Sequence, residues 1–201
     1  MLVCILLFAV NAMFSQEKPF RIELGAGVGN ILNSPERHSQ GKGYLHLSPK
    51  YLLSSEISIG IDFIGGGDLI PTGGLYLEEE EDYRILNPAA VGFNACALNL
   101  EYKPWSKALS YLYFGASSGI SDLNYRSIEV IGEELPGADN NLFLAFEVGY
   151  AYKEVRVSFN YQHYGAMDDF EGITADHRLA LTGQNVSMLF LSISYNWDLK
   201  L

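Results

Sequence analysis

From Phe20 onward, apolar and polar positions alternate along the chain. Phe20, Ile22, Leu24, Ala26 and Val28 interleave with Arg21, Glu23, Gly25, Gly27 and Gly29. Leu45, Leu47, Pro49 and Tyr51 interleave with Tyr44, His46, Ser48 and Lys50, and Ile57, Ile59, Ile61 and Phe63 with Glu56, Ser58, Gly60 and Asp62. The same period of two runs through Leu142 to Tyr152, Val155 to Gln162 and Leu189 to Trp197. A period of two is that of a β-strand with two unlike faces, so these six runs predict six strands. Val91 to Lys103 and Leu109 to Ile120 are less regular. Leu98, Leu100 and Tyr102 share one parity while Phe93 sits on the other, which predicts a β-bulge between Asn94 and Ala97. Pro49 weakens the second strand, because proline removes a ladder donor.

The gaps are alternately tight and long. Leu52 to Ser55, Pro104 to Ala108 and Lys153-Glu154 are short; Ile31 to Lys42, Gly65 to Ala90, Ser121 to Asn140 and Gly165 to Asn185 are long. Three tight turns between four long loops predict an eight-stranded antiparallel barrel with both termini at the tight-turn end. A further strand pair within Gly65 to Ala90 would make it ten.

Alternation alone leaves two barrels open, one apolar inside and one apolar outside. Two features favour the apolar exterior of a transmembrane barrel. The polar face is rich in Gly, Ala and Ser, which suits a narrow, filled interior. Phe20, Tyr51, Tyr102, Trp105, Tyr111, Tyr150, Tyr152, Tyr195 and Trp197 gather near the tight turns, as in the aromatic girdle of a membrane interface.

Composition agrees. The 201 residues are 48% hydrophobic, yet mean hydropathy is only +0.07, and beyond the first residues no stretch is long and apolar enough for a spanning helix. The formal charge of −11 argues against nucleic acid as a partner. Leu2 to Val10 form an apolar core too short to span, followed by small residues at Val10-Asn11-Ala12 and by Ser15 before Gln16. This predicts a signal peptide over residues 1–15 and a barrel domain over 16–201, although no Lys or Arg precedes the apolar core. Cys4 would leave with the signal, and Cys96 alone would form no intramolecular disulfide.

The alternating strands, the long polar loops and the aromatic close of the last strand resemble the small outer-membrane β-barrel proteins of the OmpX, OmpW and OmpA-domain kind. The tail Asp198 to Leu201 departs from that pattern, because such chains often end on the aromatic. The resemblance implies a place in the cell outer membrane, with lipid, lipopolysaccharide and the barrel-assembly machinery as partners. It implies no specific activity.

Candidate chemistry is sparse. The inward face carries Arg21, Glu23, His46, Lys50, Glu56, Asp62, Glu101, Lys103, Glu147, Arg156, Asn160 and Gln162. Buried charges of both signs pair, so these predict an interior ion-pair network rather than a pore; a gated proton or small-ion path is the sharper reading. The loops carry Glu78-Glu79-Glu80-Glu81-Asp82, then Glu129, Glu133, Glu134 and Asp139, then Asp168, Asp169, Glu171 and Asp176. Solvated acidic loops are the default, with Ca²⁺ or Mg²⁺ bridging to lipopolysaccharide as the option; no calcium-motif spacing occurs, and no cofactor or metal site is expected.

His163-Tyr164-Gly165-Ala166 resembles the setting of the lipid A deacylase barrels, whose His-x-Ser-Asn motif ends a strand with His and Ser on the lipid face. Here Gly165 and Ala166 replace the Ser and Asn, which leaves no hydroxyl beside His163 to activate. Asp176-His177-Arg178 offers a second histidine without a nucleophile. Gly25-Ala26-Gly27-Val28-Gly29 precedes no helix and is no dinucleotide loop; its glycines admit close neighbours inside the barrel. The expectation is a non-enzymatic envelope protein, structural or surface-binding through its loops. The alternatives are a degenerate lipid A hydrolase centred on His163 and a passage for small hydrophobic compounds.

Overall fold

The computed structural model describes residues 20–32, 41–69, 77–80, 83–86, 91–105, 109–125, 129–130, 133–134, 138–166, 170–173, 178–181 and 185–199. The expected signal peptide, Cys4, Glu81, Asp82, Asp168, Asp169, Asp176 and His177 lie outside these residues. In chain order the strands are β1 (Phe20–Ile31), β2 (Lys42–Leu52), β3 (Ile57–Asp68), β4 (Leu77–Glu80), β5 (Tyr83–Leu86), β6 (Val91–Tyr102) and β7 (Ser110–Tyr125). They continue with β8 (Glu129–Val130), β9 (Glu133–Glu134), β10 (Ala138–Tyr152), β11 (Val155–Ala166), β12 (Phe170–Ile173), β13 (Arg178–Leu181) and β14 (Asn185–Leu199).

The eight long strands close into a barrel in the order β1-β14-β11-β10-β7-β6-β3-β2, with every neighbour antiparallel. Closure is made by β1 and β14, from Phe20 opposite Leu199 to Ile31 opposite Met188. The count is eight rather than ten: β4 and β5 pair with each other and, through β13, with β12, and join no barrel strand. Strands β8 and β9 form a separate two-stranded ribbon.

The tight turns fall where the spacing predicts. Between β2 and β3, the Ser54 hydroxyl accepts from the backbone N–H groups of Glu56 and Ile57, at 3.1 and 3.0 Å. Lys153 takes a positive φ of 54° in the two-residue turn between β10 and β11. Pro49 is accommodated within β2, since the ladder to β3 runs from Leu47–Phe63 to Lys50–Gly60 without a change of register.

The apolar parity faces out. Leu98 is 71% exposed, Leu45 66% and Phe159 59%, whereas Ser58, Glu101 and Arg156 on the other parity are at most 1% exposed. A water-soluble barrel has the reverse distribution. Outward rings near the tight turns include Phe20, Tyr102, Trp105, Tyr150, Tyr152, Tyr195 and Trp197, with Tyr51 beside Phe20 at 5.1 Å between centroids.

Three expectations need correction. No bulge interrupts β6, which keeps continuous register with β3 and β7. Phe93 is an inward residue at the loop end of an unbroken strand, buried among other rings rather than displaced toward lipid. Tyr111 shares the inward parity of Tyr113 and lies by the Lys103 ammonium, so it is not part of the outer girdle. Glu56 is exposed: the Ser54 turn is still open at that residue, and β3 begins only at Ile57.

Candidate functional site

Inside the barrel three layers follow one another from the tight turns to the long loops. The first is ionic. Lys50 Nζ lies 2.6 Å from Glu23 Oε2 and 2.9 Å from Glu101 Oε2, and Lys103 Nζ lies 2.9 Å from Glu101 Oε1. The Arg156 guanidinium bridges both carboxylates, donating from Nη1 to Glu23 and from Nη2 to Glu101, the latter at 2.6 Å. Its plane sits over the Tyr113 ring, 3.5 Å from the centroid, and the Tyr113 hydroxyl donates to Glu147 at 2.8 Å. Ser194 donates to Glu23, and Ser58 reaches Glu101 at 3.5 Å.

Glu23, Lys50, Ser58, Glu101, Tyr113, Arg156 and Ser194 come from seven of the eight barrel strands, and Glu147 of the next layer joins them from the eighth by its bond to Tyr113, so the whole circumference is tied together. It forms because alternation sends one residue in every two inward, and closure brings residues more than a hundred positions apart, such as Glu23 and Arg156, to one level. Glycine makes room where large groups cross: a Cβ at Gly149 would overlap the Tyr113 ring.

The second layer is polar and uncharged except for Asp62 and Glu147. Asp62 accepts from Ser48, from Ser117 at 2.7 Å and from Asn99 Nδ2 at 3.1 Å. Asn160 donates to Ser192, to Ser158 at 3.0 Å and to the Tyr44 hydroxyl at 3.3 Å. A cavity of about 30 Å³ lies here, lined by Asp62, Asn99, Gly115, Ser117 and Glu147 among others.

The third layer is aromatic. Phe93, Phe143, Tyr164 and Phe190 are at most 1% exposed, and Tyr44 joins them. Ring centroids stand 4.8 Å apart for Phe93–Tyr164, 5.1 Å for Phe143–Tyr164 and 4.7 Å for Tyr44–Phe190. Leu123, Val186 and Met188 belong to the same cluster. A Cβ at Gly27 would run into the Tyr44 ring, so part of the glycine run in β1 admits this layer.

Of the predicted interior residues, Glu23, Lys50, Glu101, Lys103 and Arg156 meet in one cluster. His46 touches its edge, 3.4 Å from Glu23. Arg21 stands apart at the mouth, where its Nε donates to Asp198 at 2.8 Å. Asp62 and Glu147 belong to the next layer, and Glu56 to none. The aromatic layer escaped the sequence reading, although Tyr44, Phe143 and Phe190 all stand on the inward parity near the loop ends of their strands.

A polar interior within an apolar exterior is stable only where lipid replaces water around the belt. The chain is a transmembrane β-barrel. No protein-family model matches it, and no curated protein matches it in sequence. Among solved structures, that of neisserial surface protein A is similar over 90% of this chain and 97% of that one, at 13% identity and a TM-score of 0.59. The N-terminal β-barrel domain of Pseudomonas aeruginosa OprF aligns over 90% and 100% at 12% identity and a TM-score of 0.47. The outer membrane protein AlkL aligns over 92% and 93% at 16% identity and 0.46. The fold is that of the small outer-membrane β-barrels.

One feature of the outer face corrects the sequence reading. His163 does have a hydroxyl beside it, supplied by β14 rather than by its own strand. His163 pairs across the ladder with Ser187, and its Nδ1 lies 2.9 Å from Ser187 Oγ. The Tyr161 hydroxyl donates to the same oxygen at 3.2 Å. A register shift between His163 and Ala166, with Gly165 at φ 85°, marks the end of the regular ladder. Among the described residues no carboxylate contacts the second ring nitrogen, so the pair lacks the orienting acid of a hydrolase triad. Cys96 is free and outward on β6.

Proposed function

We propose that this barrel resides in the bacterial outer membrane and acts without catalysis, supporting envelope integrity and binding at the cell surface through its acidic loops. The observation that carries this reading is the filled interior. An ionic layer bonded to all eight strands through its neighbours and an aromatic layer above it leave no through-passage, so the lipid face and the loops remain as working surfaces. Partners of this kind of surface are lipopolysaccharide, bridged to the loop carboxylates by divalent cations, and the barrel-assembly machinery. The filled interior also weighs against passage of small hydrophobic compounds through the bore. Deleting the gene tests the proposal: it should sensitise cells to detergent, and a copy with Glu78–Glu80 changed to Gln should restore the barrel but not full resistance. Unchanged detergent tolerance in the deletion strain would sink it.

The His163–Ser187 contact favours a second reading, a hydrolase acting on outer-leaflet lipid. It predicts that Ser187→Ala and His163→Ala barrels fold normally while lipid A acyl composition changes. Identical lipid in the wild-type and variant strains removes it.

A further inference from the structure

On the outer face, His163 presents a donor that no described protein group takes up. Ser187 is only 6% exposed, and among the described residues its hydroxyl meets Tyr161 and His163 alone. The Tyr161 hydroxyl donates to Ser187 Oγ, so the serine hydrogen is satisfied only by passing to His163 Nδ1. The imidazole hydrogen then sits on Nε2, which has no partner among the described residues. His163 is half-buried and shares the outward parity of Val155, Val157 and Phe159, so this N–H faces lipid. Hydrocarbon offers it no acceptor, and an unmet N–H there is costly. The carbonyls that link acyl chains to a lipid's head are acceptors.

A second observation lies beside it. A groove of about 590 Å³ crosses the outer face, and its lining includes Tyr161 and Leu189, the next outward residues along the strands from His163 and Ser187. Its floor is low because Ala116, a single methyl, stands in one register row between Leu100 and Phe146. Gly115 and Glu147 also border it, but they lie on the inward parity, where Glu147 accepts from Tyr113, and present only backbone to it. The other lining residues are apolar or aromatic and point outward. The groove slants from Leu189 on β14 to Leu100 on β6, four inter-strand steps or about 19 Å, which is the reach of an extended acyl chain. It lies within the belt that lipid covers, and His163 stands at the long-loop end, which faces the outside of the cell.

We infer that a lipid of the outer leaflet binds here, its chain-linking carbonyl accepting from His163 Nε2 and that acyl chain lying in the Ala116 groove. Tyr161 joins the two halves of the site, since it lines the groove and anchors Ser187 against the imidazole. The binding breaks no bond and so stands apart from the hydrolase reading; it rests only on the outer-membrane address.

The test uses the refolded full chain in detergent micelles, its fold established by heat-modifiable mobility. Dimyristoyl phosphatidylethanolamine and its ether analogue, ditetradecyl phosphatidylethanolamine, compete in equal amounts. They share head group and chain length, but the ether lipid has no carbonyl. Native mass spectrometry counts which lipid the barrel retains. The wild type should hold the ester lipid about fivefold over the ether lipid, the worth of one hydrogen bond. The preference should vanish in His163→Phe, and in Ala116→Phe, which fills the groove floor and leaves the Tyr161–Ser187–His163 chain intact. Equal retention by the wild type overturns the inference. A preference that survives His163→Phe puts the carbonyl on another donor, one that survives Ala116→Phe puts the chain elsewhere, and either overturns it. So does a lipid-free dimer that Ala116→Phe dissociates, because a second copy of the chain would then cover the groove.

Discussion

At the tight-turn end of the interior, Arg156 and Lys50 hold Glu23 and Glu101 at ion-pair distance, whereas at the loop end Phe93, Phe143, Tyr164 and Phe190 pack ring against ring. Both ends exclude water, by different physics. Ionic contacts at low dielectric are directional and strong, and removing one partner leaves a charge with nowhere to go. Ring packing is a sum of many small dispersion terms, so a change of shape is felt in proportion to the volume lost. The ionic layer therefore specifies which strands meet, and the aromatic layer closes the bore with more tolerance.

The largest effect expected from this contrast is at Arg156. Arg156→Met keeps the bulk but removes one of the two cations that bridge Glu23 and Glu101, leaving Lys50 alone between them, and should cost about 3–5 kcal/mol in urea unfolding from lipid vesicles. A loss no greater than that of an aromatic truncation would erase the distinction between the two ends. Phe190→Ala should follow, at about 3 kcal/mol, while Phe190→Leu should recover most of it because volume is nearly kept. Neither Phe190 variant should conduct in a planar bilayer, since the ionic layer still blocks the bore; measurable conductance would mean that the aromatic layer alone forms the seal. Glu56→Gln should be nearly silent, within about 0.5 kcal/mol, because the residue is exposed in the Ser54 turn. A large loss there would return Glu56 to the interior network.

Much of this was legible along the chain. Period-two runs marked the strands, the alternation of tight and long gaps marked the topology, and Glu23, Lys50, Glu101, Lys103 and Arg156 could be assigned to the interior by parity alone. Parity also carried Tyr44, Phe143 and Phe190 inward, but no single strand shows that their rings meet in one layer. Phe93, on the opposite parity to Leu98, Leu100 and Tyr102, suggested a bulge. Parity was right and hydrophobicity misleading, because the loop end of the bore is closed by rings instead of charges.

What the sequence determined by itself is the barrel, from a local period and turn lengths, and which face of each strand meets lipid, from the small residues of the polar face and the aromatic girdle. What the tertiary structure decided is who meets whom across the bore. Which cation bridges Glu23 and Glu101, which carboxylates are left without one, and that Ser187 reaches His163 from 24 residues away all depend on stagger around the closed circumference. Strand register is a property of pairs, and closure is a property of the whole ring; neither is written in the alternation of any one strand.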